Sequence, residues 1–134
     1  MTAATGPCGE DDRYAAHLGI EPLSADATTA QAAMTLGEQH LNDIGRAHGG
    51  ALFSLADAAI ALTANATPGE RAVVTASSIQ LTRPTASGDR LVATAVREFC
   101  LRRRAGYRVR ITCEDDVVAV GSGETLVIPI EDPA

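Results

Sequence analysis

The feature that most constrains the fold is a long apolar stretch, residues 51–65, which shows no polar stripe at helical spacing. It is rich in Ala and Leu, contains neither Gly nor Pro, and is followed by Pro68 and Gly69. These properties predict an α-helix that ends before the Pro–Gly pair. A helix that is apolar on all sides is buried on most of them, so the rest of the chain has to cover it.

Four strand-like segments follow Gly69 and can provide that cover. The third of them alternates between apolar and polar residues, as a half-buried strand does. Short turns at residues 102–106 and 114–116 require antiparallel neighbours. Gly121 and Gly123 are expected to mark bulges or points of close approach. The pattern predicts an α+β fold in which an antiparallel sheet wraps round one helix. The four segments are residues 72–82, 90–101, 107–113 and 117–128.

The chain before the long helix is less regular. Asp11 or Asp12 can cap a short helix that runs to about Leu18 and ends at Gly19. Residues 22–26 are predicted to be a connector and residues 27–40 to contain a strand. We expect residues 1–10 to be a disordered tail and residues 11–134 to form a single domain.

Charge and composition exclude several classes of function. The net charge of −6 argues against general nucleic-acid binding, which needs a basic face. All 11 basic residues are Arg, so chemistry that depends on a Lys nucleophile or a Schiff base is excluded. The sequence shows neither a secretory signal nor a membrane-spanning stretch, and the expected location is the cytoplasm.

The Cys and His residues do not form a metal-binding pattern. The chain has an odd number of Cys residues, and no two of them are at CxxC spacing; they are Cys8, Cys100 and Cys113. Cys100 and Cys113 lie in apolar segments and are expected to be small buried residues. His17 and His40 have no partners at metal-ligand spacing and are expected at the surface. The sequence therefore predicts no metal site.

Asp57 is the strongest candidate for a catalytic residue in the sequence. It is the only ionisable residue between His48 and Glu70, and it lies in the middle of the apolar helix. A buried carboxylate without partners costs several kcal/mol unless it stays protonated. An Asp that meets solvent or caps a loop is the structural alternative. The apolar surroundings favour a functional carboxylate.

A Gly-rich segment, His48, Gly49 and Gly50, opens the same helix. Helix N-termini present N–H groups and a partial positive charge, which suit a developing oxyanion. Gly lacks the Cβ that would block a ligand's approach to these groups. Asn42 could donate a hydrogen bond to a substrate carbonyl or to water. An ordinary helix start and a turn-forming Asn are the alternatives for each motif taken alone.

Arg residues are concentrated in one turn. Arg102, Arg103 and Arg104 stand between two strands, and Arg83 precedes Pro84. A solvated turn is the simpler interpretation of each side chain. The functional interpretation is a clamp on the phosphates of a nucleotide-bearing thioester.

Together these motifs resemble the hotdog-fold thioesterases, specifically their phenylacetyl-CoA thioesterase (PaaI-type) branch. The resemblance covers roughly residues 11–128. It implies a long central helix wrapped by a five- or six-stranded antiparallel sheet. The residues that carry it are Leu41, Asn42, His48, Gly49, Gly50, residues 53–57, residues 73–76, Arg83, Pro84 and residues 88–91.

The resemblance also implies an assembly and an active site. Subunits would pair side by side into a homodimer or a homotetramer, with the active site at the dimer interface. Asp57 would be the general base or the nucleophile, and the Gly49 N–H would polarise the thioester carbonyl. Asn42 and His48 would line the same site. No metal or redox cofactor is implied, because coenzyme A arrives as part of the substrate.

The expected function is hydrolysis of acyl-CoA thioesters, with aryl or medium-size acyl groups, to a free acid and coenzyme A. Some relatives carry a hydroxyl one helical turn after the carboxylate, where this chain has Ala61, and Thr75 or Ser77 are alternative holders of the water. A non-catalytic acyl-CoA sensor is the main alternative function. A hydratase or dehydratase would need a different acid–base set, which is not found. The residues expected to bind substrate are Gly50, Thr75, Ser77, Arg83, Arg102 and Arg103.

Overall fold

A computed structural model describes residues 12–130, which form one antiparallel sheet and two α-helices. The helices are α1 (Arg13–Leu18) and α2 (Gly49–Ala64), and a short 3-10 helix (Glu38–His40) lies between them. The six strands are β1 (Glu21–Ala25), β2 (Thr29–Thr35), β3 (Arg71–Leu81), β4 (Arg90–Leu101), β5 (Arg104–Cys113) and β6 (Asp116–Ile128).

The sheet has the strand order β1-β2-β4-β5-β6-β3, and every neighbouring pair is antiparallel. β1 and β3 are therefore its edges. The central helix α2 packs against β2 to β6 on one face of the sheet, and its buried residues include Leu52, Leu55 and Ile60. A single helix wrapped by six antiparallel strands is the predicted arrangement.

Small side chains let α2 approach the sheet closely. Ala32, Ala59 and Ala93 are all fully buried in the core between helix and strands. On β6 a Cβ at Gly123 would lie 2.7 Å from Ile60 Cδ1, so the end of the Ile60 side chain would have to shift. A Cβ at Gly121 would overlap the Ser78 carbonyl oxygen. Both glycines are thus points of close approach, as predicted.

The short N-terminal helix has the predicted caps. Asp12 Oδ1 accepts a hydrogen bond of 2.9 Å from the Ala15 N–H, which satisfies a donor of the first turn. At the other end Gly19 adopts φ 75°, a left-handed conformation that Gly takes without steric cost.

Several sequence-based boundaries were wrong. Residues 22–26 are not a connector, because residues 21–25 form the edge strand β1. An edge strand tolerates Pro22, since it has a neighbour on one side only and not every residue has to donate an N–H to the sheet. The turn between β4 and β5 comprises only Arg102 and Arg103, so residues 104–106 belong to β5. Cys100 is exposed, because the β4–β5 hairpin end is exposed throughout residues 99–104, and Cys113 is half-buried at the opposite end of β5.

Some predictions fall on residues 1–11 or 131–134, which lie outside the described residues. These are the disordered tail, the capping role of Asp11 and the environment of Cys8. Between residues 12 and 130, neither helix is long and apolar enough to cross a membrane.

Candidate active site

The first turn of α2 is organised by His48, its N-cap residue. The His48 Nδ1 accepts a hydrogen bond of 2.9 Å from the Gly50 N–H, and the His48 carbonyl accepts one of 2.9 Å from the Ala51 N–H. No acceptor among the described residues meets the N–H of Gly49. The helix therefore begins with one N–H that is available to a ligand and that carries the partial positive charge of the helix end.

The two glycines serve different needs at this helix start. A Cβ at Gly50 would lie 3.0 Å from the His48 Nδ1, so Gly leaves room for the capping ring. A Cβ at Gly49 would lie 3.4 Å from Leu81 Cδ1 at the end of β3, which is an ordinary contact distance. A side chain at position 50 would thus press on the capping ring, whereas an Ala Cβ would fit at position 49.

Asp57 is half-buried on α2, two turns after the helix start. Throughout residues 12–130 its carboxylate has neither a hydrogen-bond donor nor a cation within bonding distance. Burial raises the pKa of Asp57 above its ordinary value of 3.8, and the negative charge of Asp12 raises it further. A carboxylate with a raised pKa and no partner is suited to accepting a proton from a substrate or from water.

One chain does not bring Asp57 and Gly49 together. They are eight residues apart on one helix, which corresponds to about 12 Å along its axis. A base and an oxyanion donor each act over roughly 3 Å. The Asp57 carboxylate and the Gly49 N–H of a single chain are therefore too far apart to act on the same carbonyl group.

Asn42 shapes the loop that precedes α2. Its Oδ1 accepts hydrogen bonds of 3.0 Å from the N–H groups of Ile44 and Arg46, and its own N–H donates to the Arg46 carbonyl at 2.7 Å. The turn-forming alternative for Asn42 is therefore correct for the side-chain oxygen. Its side-chain NH₂ makes no hydrogen bond within the part of the chain that the structure describes.

His40 is buried, which corrects the expected surface position. Its exposed fraction is 2%, its Nδ1 accepts a 2.9 Å hydrogen bond from the Gly37 N–H, and its Nε2 lies 2.7 Å from the Leu18 carbonyl oxygen. The two partners of the His40 ring are main-chain groups of Gly37 and Leu18, and no sequence motif indicates such bonds. The only available signal was the position of His40 just before the Asn42 loop. His17 is exposed, as expected.

The arginines predicted to bind phosphate fall into two places. Arg102, Arg103 and Arg104 line a cleft of about 580 Å³ together with Thr75, Leu101 and Leu126. Arg83 lies elsewhere, beyond the opposite end of β3, where its guanidinium makes a 2.8 Å ion pair with Asp116. The structure thus brings Thr75 to the Arg turn and separates Arg83 from it.

The candidate water-holding hydroxyls already have partners in the sheet. Thr75 Oγ1 donates to the Glu124 carbonyl and Ser77 Oγ to the Ser122 carbonyl, each over 3.2 Å. Thr75 is the extra residue of a bulge in β3, and Ser77 lines a second cleft beside Phe99. Neither hydroxyl is hydrogen-bonded to Asp57. Over residues 12–130, acidic, His and Cys side chains form no cluster of three or more that could hold a metal ion.

Comparison with known proteins identifies the family of this chain. A profile of the thioesterase superfamily matches residues 44–120, which include Asp57, the helix start and most of the sheet. The chain belongs to the thioesterase superfamily. The sequence-based assignment to a thioesterase family is thereby confirmed.

Individual relatives agree with this assignment. The chain is 45% identical over 86 residues to the acyl-coenzyme A thioesterase PaaI of Escherichia coli, a match that covers 64% of this chain and 61% of that protein. The solved structure of the E. coli PaaI protein, from the phenylacetic acid degradation operon, superposes with a TM-score of 0.83 at 36% identity and covers 89% of this chain and 86% of the other.

A structure from Thermus thermophilus gives a similar result. It is a mutant of the phenylacetic acid degradation protein PaaI, with a TM-score of 0.81 and 35% identity, and it covers 86% of this chain and 98% of the other. Together these matches confirm the predicted hotdog fold and the resemblance to the PaaI-type branch.

Proposed function

We propose that this chain hydrolyses acyl-CoA thioesters, with Asp57 as the catalytic carboxylate and the Gly49 N–H as the oxyanion donor. The observation that carries the proposal is a pair of groups on α2 that have no partner among residues 12–130: a half-buried carboxylate with a raised pKa and the first N–H of the helix. The match to the E. coli acyl-CoA thioesterase supports the substrate class.

The chemistry requires few groups, because a thioester carbonyl is intrinsically reactive. As a base, Asp57 takes a proton from water, and the water oxygen adds to the carbonyl carbon. The charge that develops on the carbonyl oxygen is stabilised by the Gly49 N–H at the positive end of α2. The C–S bond then breaks, and the protonated Asp57 returns its proton to the departing thiolate. As a nucleophile, Asp57 would instead attack the carbonyl carbon, the C–S bond would break with release of the coenzyme A thiolate, and water would hydrolyse the resulting anhydride to the free acid and the Asp57 carboxylate.

We propose that two copies of the chain build each active site. The support is the separation of about 12 Å between Gly49 and Asp57 on one helix axis. In a two-fold dimer, residue i of one copy meets residue j of the other, and the reverse contact forms as well. Two helices that run in opposite directions would thus place Gly49 of each copy near Asp57 of its partner.

The edge strand β3 is the surface on which we propose that the copies pair. β3 is 11 residues long and, within residues 12–130, pairs only with β6, so its outer edge presents backbone N–H and C=O groups. Such an edge is a template for pairing with another strand. Val73 and Leu81, 40% and 52% exposed, lie near its two ends. A tetramer, built as a dimer of dimers, stays part of the proposal.

We propose that Arg102 and Arg103 bind the phosphates of coenzyme A. Guanidinium groups suit phosphate oxygens, and Arg102 and Arg103 line one cleft of about 580 Å³. Arg83 contributes less in this proposal, because it is already paired with Asp116. Asn42, His48, Gly50 and Ser77 remain proposed lining residues on the basis of family resemblance.

We propose that compact aromatic acyl groups are hydrolysed faster than long-chain ones. A cleft of about 220 Å³ lies beside the start of α2, between Leu52 and Leu81, and a small cleft favours a compact group. The names of the relatives, which refer to phenylacetic acid degradation, point to the same class of acyl group.

The test is a comparison of phenylacetyl-CoA with palmitoyl-CoA at equal, sub-saturating concentration, with thiol release as the readout. We expect a higher kcat/KM for phenylacetyl-CoA, because discrimination reflects differential binding of the transition state. Equal or reversed values would contradict the acyl preference and leave hydrolysis standing. Binding of acyl-CoA without thiol release would instead support the sensor alternative. The cytoplasmic location stays a prediction.

A further inference from the structure

His40 is a buried side chain with two hydrogen bonds that the proposed chemistry does not use. Its Nδ1 accepts from the Gly37 N–H at 2.9 Å, so the ring proton is on Nε2, which donates to the Leu18 carbonyl at 2.7 Å. Leu18 ends α1, and Gly37 immediately precedes the 3-10 helix. The ring thus joins the end of α1 to the turn that leads into the Asn42 loop.

The main chain of His40 continues this connection to the active-site helix. The His40 carbonyl accepts a 2.7 Å hydrogen bond from the N–H of His48, the N-cap of α2. Next to it, Leu41 and Ala47 form a β-bridge that closes the base of the loop. The loop ends are therefore tied to each other, and the buried His40 ring fixes this base to α1.

The direction of the Gly49 N–H depends on the orientation of the peptide between His48 and Gly49. This peptide is held on both sides, because His40 anchors the His48 N–H and the Ala51 N–H donates to the His48 carbonyl at 2.9 Å. The His48 ring adds the bond to Gly50. Any shift of His40 would move the first anchor and rotate the peptide that carries the proposed oxyanion donor.

We propose that His40 is a positioning residue, which fixes the direction of the Gly49 N–H without touching the substrate. The inference rests on the role proposed for Gly49. Displacement of a catalytic group by about 1 Å can cost up to ~100-fold in rate, so loss of the His40 anchors should be visible in turnover. The effect should appear in kcat more than in KM, because an oxyanion donor acts mainly in the transition state.

The test compares two His40 variants with a control at the other end of the same helix. His40→Leu keeps a side chain of buried character but leaves the Gly37 N–H and the Leu18 carbonyl without their partner. His40→Asn can still accept from Gly37 through its Oδ1. The control is Thr63→Val, because the buried Thr63 donates a 2.7 Å hydrogen bond to the Asp26 carbonyl, about 21 Å along the axis from Gly49.

Two readouts separate positioning from a purely structural role. At a temperature where all variants are folded, His40→Leu should lower kcat by at least ~10-fold with KM within about 2-fold. His40→Asn should recover part of this loss, and Thr63→Val should keep a near-normal kcat although it also lowers thermal stability. By NMR, amide exchange of His48 and Gly50 should accelerate in His40→Leu and not in Thr63→Val.

Folded His40→Leu with a normal kcat and unchanged exchange at His48 and Gly50 would overturn the inference. Equal kcat losses in His40→Leu and Thr63→Val would overturn it as well, since they would indicate a general loss of stability. A wild-type chain that cleaves no thioester would instead refute the proposed function, and the amide exchange alone would then decide whether His40 positions the helix start.

Discussion

The two ends of the central helix differ in whether their polar groups have hydrogen-bond partners. At the C-terminal end the Asn65 side chain donates to the carbonyls of Ala61 and Ala72 and accepts from the Ala72 N–H, at 2.9 to 3.0 Å. Thr63 next to it donates to Asp26. At the N-terminal end the Gly50 N–H donates to the His48 ring, but the Gly49 N–H has no acceptor among residues 12–130.

This difference separates groups that hold the fold from groups that are available for chemistry. Buried polar groups normally find partners, and no buried side-chain nitrogen or oxygen among residues 12–130 lacks one. The polar side chains at the C-terminal end are used in contacts with the loop before β2 and with the start of β3. The Gly49 N–H and the Asp57 carboxylate, both within the first nine residues of α2, make no hydrogen bond within residues 12–130, and these are the groups on which the proposed reaction depends.

The largest effect is expected from Asp57→Asn, which keeps the shape of the side chain and removes its basicity. Turnover of acyl-CoA should fall at least ~10²-fold, the scale of a lost acid–base group. Asn65→Ala is the matched control at the other end of α2. It should lower the melting temperature and leave turnover nearly unchanged. Near-normal turnover in folded Asp57→Asn would remove Asp57 from the mechanism.

The same Asp57→Asn variant tests the raised pKa through stability. The folded pKa of Asp57 lies above the ordinary value of 3.8, so the unfolded chain ionises first as the pH rises. Ionisation of Asp57 therefore costs stability progressively above about pH 4, up to its raised folded pKa. Thermal unfolding should show the variant at least as stable as wild type at pH 7, with the difference disappearing near pH 3. The account would be contradicted if the stability of the variant, measured relative to wild type, were lower at pH 7 than at pH 3.

The next largest effect is expected at the helix start, where Gly49→Pro deletes one N–H. Pro fits the first position of a helix, and His48 already has the extended backbone, φ −64° and ψ 136°, that must precede Pro. We expect a ~10²-fold fall in kcat from the loss of one oxyanion donor. Gly49→Ala keeps the N–H and should cost far less. Similar losses in both variants would indicate a steric cause and contradict the donor role.

A smaller effect is expected when Arg102 and Arg103 are both replaced by Ala. KM for acyl-CoA should rise about 5-fold, since exposed ionic contacts contribute up to roughly 1 kcal/mol each, and kcat should change little. The effect should weaken as salt is added, because salt screens exposed charges. Arg110→Ala, which removes another exposed Arg of β5, is the control. An unchanged KM in the double variant would exclude these residues from coenzyme A binding.

The smallest effect concerns Asp12, whose charge raises the pKa of Asp57. Asp12→Asn keeps a good N-cap for α1 but removes the charge, so the pKa of Asp57 should fall. The acid limb of kcat/KM against pH should then shift to lower pH. Asp115→Asn, in the exposed β5–β6 turn, changes the net charge equally and should not shift it. A shift to higher pH would contradict the electrostatic account.

The sequence predicted those parts of the molecule that depend on local chemistry. The helix α2, its Gly-rich start and the caps at Asp12 and Gly19 follow from residue types at fixed spacing. The alternation over residues 107–113 placed the inward face of β5 correctly. Asp57 was recognisable because no other ionisable residue lies near it in the chain.

Features that depend on distant partners could not be predicted in this way. Pro22 indicated a connector, since only the sheet order shows that residues 21–25 form an edge strand. The burial of His40 depends on Leu18, which is 22 residues away. The separation of Arg83 from Arg102 and Arg103 depends on where the two ends of β3 lie.

The central claim is that Asp57 and Gly49 act on the same carbonyl from different copies of the chain. A mixture of Asp57→Asn and Gly49→Pro chains tests it, with a different affinity tag on each so that heterodimers can be purified. A heterodimer contains one site in which both groups are intact, and its thioesterase activity should be about half that of the wild type. A purified heterodimer no more active than the two separate variants, or a chain that is active as a stable monomer, would contradict the account.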